Sequence, residues 1–240
     1  MKNQNKIIDM FNKIAPTYDK ANKAMSFGID ESWRKEACAA ILAKFINNDL
    51  SIADVACGTG DMMRLWSDMS KGYNANITSL IGIDPSSGML EVAKTKFPNF
   101  KFIQADAANT TLEDKSVDVI SISYGIRNVV ERVKALEEFN RILKIGGYLV
   151  VLEFAKPDKK GIISKARDFY VSKILPKIGG FISKNKEAYE YLPDSIENFL
   201  DKESFVRELN GAGFESELVK SYSFDISTLF IVKKVKDLWL

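Results

Sequence analysis

An α/β fold, doubly wound about a mostly parallel seven-stranded sheet with an antiparallel C-terminal hairpin and a helical insertion, is predicted by three observations. Short apolar runs alternate with helical patterns from residue 51 to residue 154, the rhythm of βαβ units. Several of the runs are apolar almost without a break, as strands covered on both faces are. The last two strand-like runs, 214–221 and 226–235, are joined by a turn too short for a parallel crossover, so they pair antiparallel.

Two helical stretches, 6–14 and 30–45, come first. Strands are expected at 52–55, 80–84, 100–104, 117–124 and 148–154, and helices at 61–69, 87–96 and 131–143. Ser86 or Ser87 caps the second of these helices, with Glu91 in its first turn. Gly146 and Gly147 separate the third helix from its strand. Between Pro157 and Pro193 the sheet pattern stops and a helical insertion is expected. A single domain thus spans 1–240: an N-terminal helical cap (1–48), a core (49–156), a helical insertion or lid (157–195), and a C-terminal helix with the hairpin (196–240).

Composition narrows the function. The chain of 240 residues is 46% hydrophobic and 28% charged, ordinary for a soluble domain with a full core. A net charge of +2 creates no strong field toward nucleic acid, which is not expected as a partner. Cys38 and Cys57 show neither metal-ligand spacing nor a disulfide framework. The N-terminus is polar and leads into no apolar signal segment. Apolar runs such as 37–43 and 148–152 are too short to cross a bilayer, so a cytoplasmic location is expected. There is no histidine, which removes Ser–His and Cys–His nucleophilic triads and His-ligated metal sites; no metal is expected. Proton removal falls to Asp, Glu, Tyr, Lys, water or an unusual arrangement.

The stretch Asp54-Val55-Ala56-Cys57-Gly58-Thr59-Gly60-Asp61 is the most informative. It joins a predicted strand to a predicted helix, where backbone N–H groups approach nucleotide-like ligands, and its glycines permit that approach. Asp84 ends the next strand, where an acid suits ribose hydroxyls. A dinucleotide fingerprint needs a third glycine at the place of Met63, and Asp54 and Asp61 would repel phosphate. S-adenosylmethionine has a ribose, an ammonium and a sulfonium but no phosphate. The plain alternative is a glycine-rich turn with Asp61 as a helix cap.

The insertion carries charge of its own. Residues 156–186 hold nine basic residues against two acidic ones, interleaved with apolar positions such as Phe169, Ile174 and Phe181. Such a segment lies on an anionic bilayer, covers an apolar substrate, or is a packed lid with a solvated lysine face; the composition leaves all three open.

The chain resembles the UbiE/MenG/COQ5 family of quinone-biosynthesis C-methyltransferases over nearly its whole length. The resemblance rests on Phe11 to Asp19 with Asn22, Ser26-Phe27-Gly28, Trp33-Arg34, the Asp54–Asp61 turn, Gly82-Ile83-Asp84-Pro85-Ser86 with Gly88-Met89-Leu90, and Gln104-Ala105-Asp106-Ala107. It continues through Ser121 to Val129, Leu152-Glu153-Phe154 with Pro157, and Tyr189 with Tyr191-Leu192-Pro193. The segment Gly125-Ile126-Arg127-Asn128 and the pair Tyr18-Asp19 are its narrowest pieces. Ala21, Tyr124 and Ile145 depart from the usual pattern.

The resemblance implies a class I methyltransferase, Rossmann-like, that uses S-adenosyl-L-methionine. It implies transfer to a prenylated quinol, with demethylmenaquinol as the leading acceptor. A 2-methoxy-6-polyprenyl-benzoquinol, another lipophilic small molecule and a non-catalytic cofactor-binding scaffold are the alternatives. Its cofactor contacts fall on Thr59, Asp84, Asp106, Ala107 and Ser123, with Asp54 and Gly58 in the same pocket. Arg127 is placed to stabilise a developing phenolate, Asn128 to orient the oxygen or a water, and Tyr18 to close the site. The competing reading of Arg127 is a salt bridge to Asp19, Glu31 or Glu153. A homodimer, and contact with the inner face of the membrane through the basic 156–186 segment, complete the expectation.

Overall fold

In the computed structural model, which describes residues 3–156 and 167–238, the strands are β1 (Asp49–Val55), β2 (Asn76–Ile83), β3 (Lys101–Ile103), β4 (Val117–Ser123), β5 (Leu143–Glu153), β6 (Phe214–Tyr222) and β7 (Ser227–Lys234). They form one sheet in the order β3-β2-β1-β4-β5-β7-β6. Pairing is parallel from β3 through to β5 and antiparallel at β5–β7 and β7–β6. β1 has β2 on one side and β4 on the other, so the order reverses there and opens a crevice beyond the strand ends. The register lines up that edge: Asp54 lies opposite Gly82 on β2 and Ser121 on β4.

The described helices are α1 (Gln4–Ile14), α2 (Tyr18–Ser26), α3 (Ile29–Leu42), α4 (Asp61–Ser70), α5 (Ser87–Lys96), α6 (Arg132–Ile142), α7 (Leu175–Ser183), α8 (Lys186–Glu197) and α9 (Lys202–Gly211). β1 buries every residue after Asp49, as a strand covered on both faces must. One face of the sheet packs Phe139, Phe205, Leu209 and Phe230 into a single cluster. The other packs Trp33, Ile41, Leu50 and Trp66. A third cluster joins the N-terminal helices to the insertion, through Ile14, Met25, Val171 and Tyr189. Burying each of these large side chains contributes about 1.5–3 kcal/mol.

The structure corrects several boundaries. β5 starts at Leu143, directly after α6 ends at Ile142, so Gly146 and Gly147 lie inside the strand instead of linking it to the helix. The β4–β5 register shifts between Val117 and Val119, beside this pair, Gly146 has φ +81°, and a Cβ on Gly147 would lie 2.8 Å from the Asp118 carbonyl oxygen. The glycines therefore serve an irregular strand. Ser86 is the cap of α5, accepting from the Met89 N–H at 3.2 Å. Glu91 is the fifth residue of that helix, past the first turn. The first predicted helix begins at Gln4, the second ends at Leu42, and β3 is only three residues long. α2 was not expected; it is short, polar, and buries only Ala21 and Met25. In the insertion, α7 and α8 confirm the helical reading, and α8 runs past residue 195 to Glu197. Lys159, Lys160 and Lys165 of the basic segment lie outside the described residues.

Candidate active site

β1 delivers Asp54 to the crevice and then turns sharply. Ala56, Gly58 and Gly60 all have positive φ, at 52°, 55° and 87°. Gly60, not Asp61, is the N-cap of α4. Asp61 instead pairs with Lys96 at 2.8 Å, so its side chain is not a helix cap. Asp84 clamps the turn: its Oδ2 accepts from the Gly58 N–H at 2.9 Å and its Oδ1 from the Ser86 N–H at 2.8 Å. Ser121 donates to Asp54 Oδ1 at 2.6 Å and itself accepts from the Trp66 indole at 3.0 Å. The other Asp54 oxygen is buried and has no partner among the described residues. Burial pushes Asp54 up to about 7 and Asp84 up to about 6.

Two cavities meet at this turn. One, of about 70 Å³, is bordered by Gly58, Asp84, Asp106, Ala107 and Ser123 and roofed by Ile7 and Phe11 of α1. The other, of about 210 Å³, is bordered by Asp54, Thr59, Asp61, Arg34 and Arg64. The sequence-derived cofactor residues therefore do come together. Asp106 also accepts from the Ala108 N–H at 2.9 Å, the turn-capping role considered for it. The Thr59 hydroxyl donates to Asp19 at 2.6 Å, so toward a ligand it can act only as an acceptor, beside its backbone.

These surfaces discriminate between ligands. The smaller cavity is bordered by two carboxylates and by no Lys or Arg among the described residues, so a pyrophosphate would have no counter-charge. The larger one carries both signs, as the ammonium and carboxylate of an amino acid require. The unpartnered Asp54 oxygen is an acceptor that lacks a donor. S-adenosylmethionine fits on all three counts.

A third cavity, of about 1030 Å³, opens between the N-terminal helices, α7, α8 and the end of the sheet. Phe11, Met25, Trp33, Phe154, Leu175 and Tyr189 give it an apolar, aromatic wall. Tyr18 borders all three cavities, and Tyr124 borders this one and the smallest. The Tyr18 hydroxyl pairs with Asn22, and burial raises its pKa.

Arg127 reaches the same wall from a 3-10 turn over Ile126–Asn128. Its Nη1 donates to Glu153 Oε1 at 2.7 Å and to the Tyr124 carbonyl at 2.6 Å, and its Nε to Ser195 at 3.3 Å. Of the three acids considered, Glu153 is the partner; Asp19 pairs with Lys96 and Glu31 with Lys35. Asn128 accepts from the Tyr191 hydroxyl at 3.2 Å. Sequence reasoning assigned no role here to Ser121, Trp66, Arg34 or Tyr191. Sheet register brings Ser121, and packing brings Trp66, to Asp54 from far along the chain.

The backbone leading to Arg127 is tightly held. Tyr124 has φ +58°, and a Cβ on Gly125 would lie 2.5 Å from the Ala56 Cβ. Gly125→Ala is therefore expected to destabilise the fold by about 1–3 kcal/mol. A lower midpoint in urea unfolding, with weaker cofactor binding, would show it.

A pocket with two carboxylates and no cationic side chain among its described lining residues, next to one of mixed charge at the switch point of this sheet, is the donor site of an S-adenosylmethionine-dependent methyltransferase. Solved structures of that class share the fold. A SAM-dependent methyltransferase from Thermotoga maritima aligns with TM-score 0.63 at 20% identity, covering 95% of this chain and 99% of that one. Another from Aquifex aeolicus aligns with TM-score 0.56 at 18% identity, covering 82% and 89%.

The chain belongs to the ubiE/COQ5 methyltransferase family, which it matches over residues 1–234. It is 60% identical to a Campylobacter jejuni protein named ubiquinone/menaquinone biosynthesis C-methyltransferase UbiE, covering 98% of this chain and all (100%) of that one. It is 36% identical to a demethylmenaquinone methyltransferase of Chlorobaculum tepidum, covering 97% and 94%. The family, fold and methyl donor expected from the sequence are those found.

Proposed function

We propose that this protein methylates a ring carbon of a prenylated quinol, with demethylmenaquinol as its acceptor. The observation that carries the reading is the apolar 1030 Å³ cavity that ends on Arg127 and Tyr18 beside the donor crevice. Relatives named for menaquinone synthesis support the naphthoquinol. The name of the Campylobacter protein, which also includes ubiquinone, keeps the methoxy-benzoquinol as the second reading.

S-adenosylmethionine, when bound, supplies an electrophilic methyl group on a sulfonium. The chain's residues do the rest. Asp84 accepts from the ribose hydroxyls, and the free Asp54 oxygen takes the ammonium. Asp106 and Ala107 meet the adenine edge, and Ser123 and Gly58 form the floor between the two small cavities. The acceptor's ring hydroxyl ionises near pH ~10 in water and must lose its proton for the neighbouring carbon to attack. Arg127 is the charge beside that oxygen, Asn128 holds its orientation through Tyr191, and Tyr18 closes the wall between donor and acceptor. Water is kept out by the aromatic lining.

Contact with a membrane is part of the same proposal. Among the described residues of the insertion, Phe169 and Phe181 are exposed and stand in a segment that also carries Lys173, Lys177 and Lys184. Such a surface can take a prenyl tail from an anionic bilayer. No described helix is long and apolar enough to cross one. Quinone profiling by mass spectrometry tests the acceptor. Cells lacking the protein are expected to accumulate a quinone one methyl group lighter. An unchanged quinone pool would refute the proposal.

A further inference from the structure

The 210 Å³ cavity beside the glycine turn is bordered by more acid than base: Asp19, Asp30, Glu31, Asp54 and Asp61 against Lys23, Arg34 and Arg64. Most of these charges are already committed. Lys96 pairs with Asp19 at 2.7 Å and with Asp61 at 2.8 Å. Glu31 pairs with Lys35 at 2.8 Å, and Arg64 lies 3.3 Å from Asp68 and 3.6 Å from Glu31. Lys23 is exposed on α2. Two groups remain inside the site: Asp54, with its unpartnered oxygen, and Arg34, whose side chain is only 13% exposed.

Arg34 stands in the second turn of α3. Asp30, one turn earlier, accepts from its Nη1, and Ser26 steadies Asp30 by donating to its other oxygen at 2.6 Å. The guanidinium lies over the Tyr124 ring, 5.4 Å from the ring centre. Nε and Nη2 donate to no described residue, and both remain accessible.

Nε and Nη2 form one edge of the guanidinium, whose two parallel N–H bonds match the two oxygens of a carboxylate. The chain uses that edge elsewhere. Arg132 donates from Nε and Nη2 to the two oxygens of Glu208, at 2.6 and 3.0 Å. In Arg34 the same edge is open, because Asp30 is held through Nη1 alone.

We propose that Arg34 grips the carboxylate of S-adenosylmethionine through Nε and Nη2. An amino acid carries its ammonium and carboxylate on one carbon, so their partners must face one place. Arg34 and Asp54 border the same cavity, and the Arg34 charge opposes the rise that burial imposes on Asp54. Elsewhere in this cavity a carboxylate would meet the surplus of acids and be repelled. The inference takes Asp54 as the partner of the ammonium, and it does not depend on which acceptor is methylated.

The test uses the full chain and calorimetry with two ligands. One is S-adenosylmethionine; the other is its decarboxylated form, which keeps the ribose, the sulfonium and the ammonium. Wild type should bind the carboxylated ligand more tightly. In Arg34→Ala the ratio of the two affinities should fall by about 10–100-fold, the worth of a hydrogen bond between charged groups. The loss should come from S-adenosylmethionine, with affinity for the decarboxylated ligand maintained. Arg64→Ala should keep the wild-type ratio. Asp30→Asn combined with Arg34→Gln removes both charges of the pair, so no carboxylate is left without its partner. That double variant should show the same fall in ratio, and it decides the matter if Arg34→Ala fails to fold.

An Arg34→Ala variant with the wild-type ratio would overturn the proposal. So would one that weakens both ligands alike, because Arg34 would then be only a structural partner of Asp30 and Tyr124. A ratio that falls in Arg64→Ala and not in Arg34→Ala would move the grip to Arg64 and overturn it as well. Asp54→Asn should weaken both ligands alike and leave the ratio unchanged. If it weakens neither, the reading of Asp54 fails and the Arg34 grip stands.

Discussion

Arg127→Ala is expected to lower quinol turnover by about 10²–10³-fold, the effect of deleting one donor that stabilises a developing oxyanion. Affinity for S-adenosylmethionine should stay unchanged, because Arg127 borders the acceptor cavity and neither donor cavity. The variant should also be less stable. Arg127 and Glu153 are both buried, and removing one partner of a buried pair costs about 3–5 kcal/mol. That cost depends on pH. Burial raises Glu153, and without Arg127 nothing comparable opposes the rise. The stability contributed by its neutral form is present at acid pH and is lost as pH climbs through the raised value. Urea unfolding should therefore show a larger deficit at pH ~8 than at pH ~5. Full turnover in Arg127→Ala would remove this residue from the mechanism.

Asp84→Ala is expected to weaken S-adenosylmethionine binding by about 10²–10⁴-fold. Two ribose hydroxyls donating to a carboxylate are worth about 1.5–3 kcal/mol each, and each 1.4 kcal/mol is about tenfold. The variant also strands the Gly58 and Ser86 N–H groups that Asp84 now accepts, which loosens the turn. Calorimetry reads the affinity directly, and binding within about tenfold of wild type would displace Asp84 from the ribose. The wild-type pH dependence has the same origin. Burial pushes Asp84 up to about 6 and Asp54 up to about 7, above the ~3.9 of an unfolded aspartate. Stability due to their neutral forms is thus fully present below pH ~4 and is lost as pH rises through these values. A cationic ligand favours the charged forms, so its affinity should rise over the same window. Asp54→Asn should stabilise the ligand-free protein at pH ~8 and flatten both trends.

Much of this was legible in the sequence because the signals were local. The alternation of β1 to β5 with their helices, the short turn before β7, and the glycine turn with Asp54 and Asp84 each follow from spacing within a few residues. What the sequence hid was non-local or contrary to propensity. α2 spaces Tyr18, Ala21 and Met25 as a helix does, but over only nine residues, too short a stretch for the period to stand out. The glycine pair looks like a linker but sits in a paired strand. Thr59 does border the larger donor cavity, but the bond from its hydroxyl to Asp19, 40 residues earlier in the chain, has no local signal. Glu153 could be proposed as one of three partners for Arg127, and only the β4–β5 pairing singles it out.

The roof over the adenosyl pocket is fastened by charge. Lys96 bridges Asp19 of α2 and Asp61 of α4, and all three side chains are partly exposed. Asn12 of α1 also accepts from Ser86 and from the Gly88 N–H at the start of α5. These contacts tie α1 and α2 to the starts of α4 and α5 and to the end of α5. Salt screens exposed ion pairs but leaves buried ones largely untouched. Ionic strength thus acts on the hold of the N-terminal helices over the donor crevice and spares the buried Arg127–Glu153 pair at the acceptor.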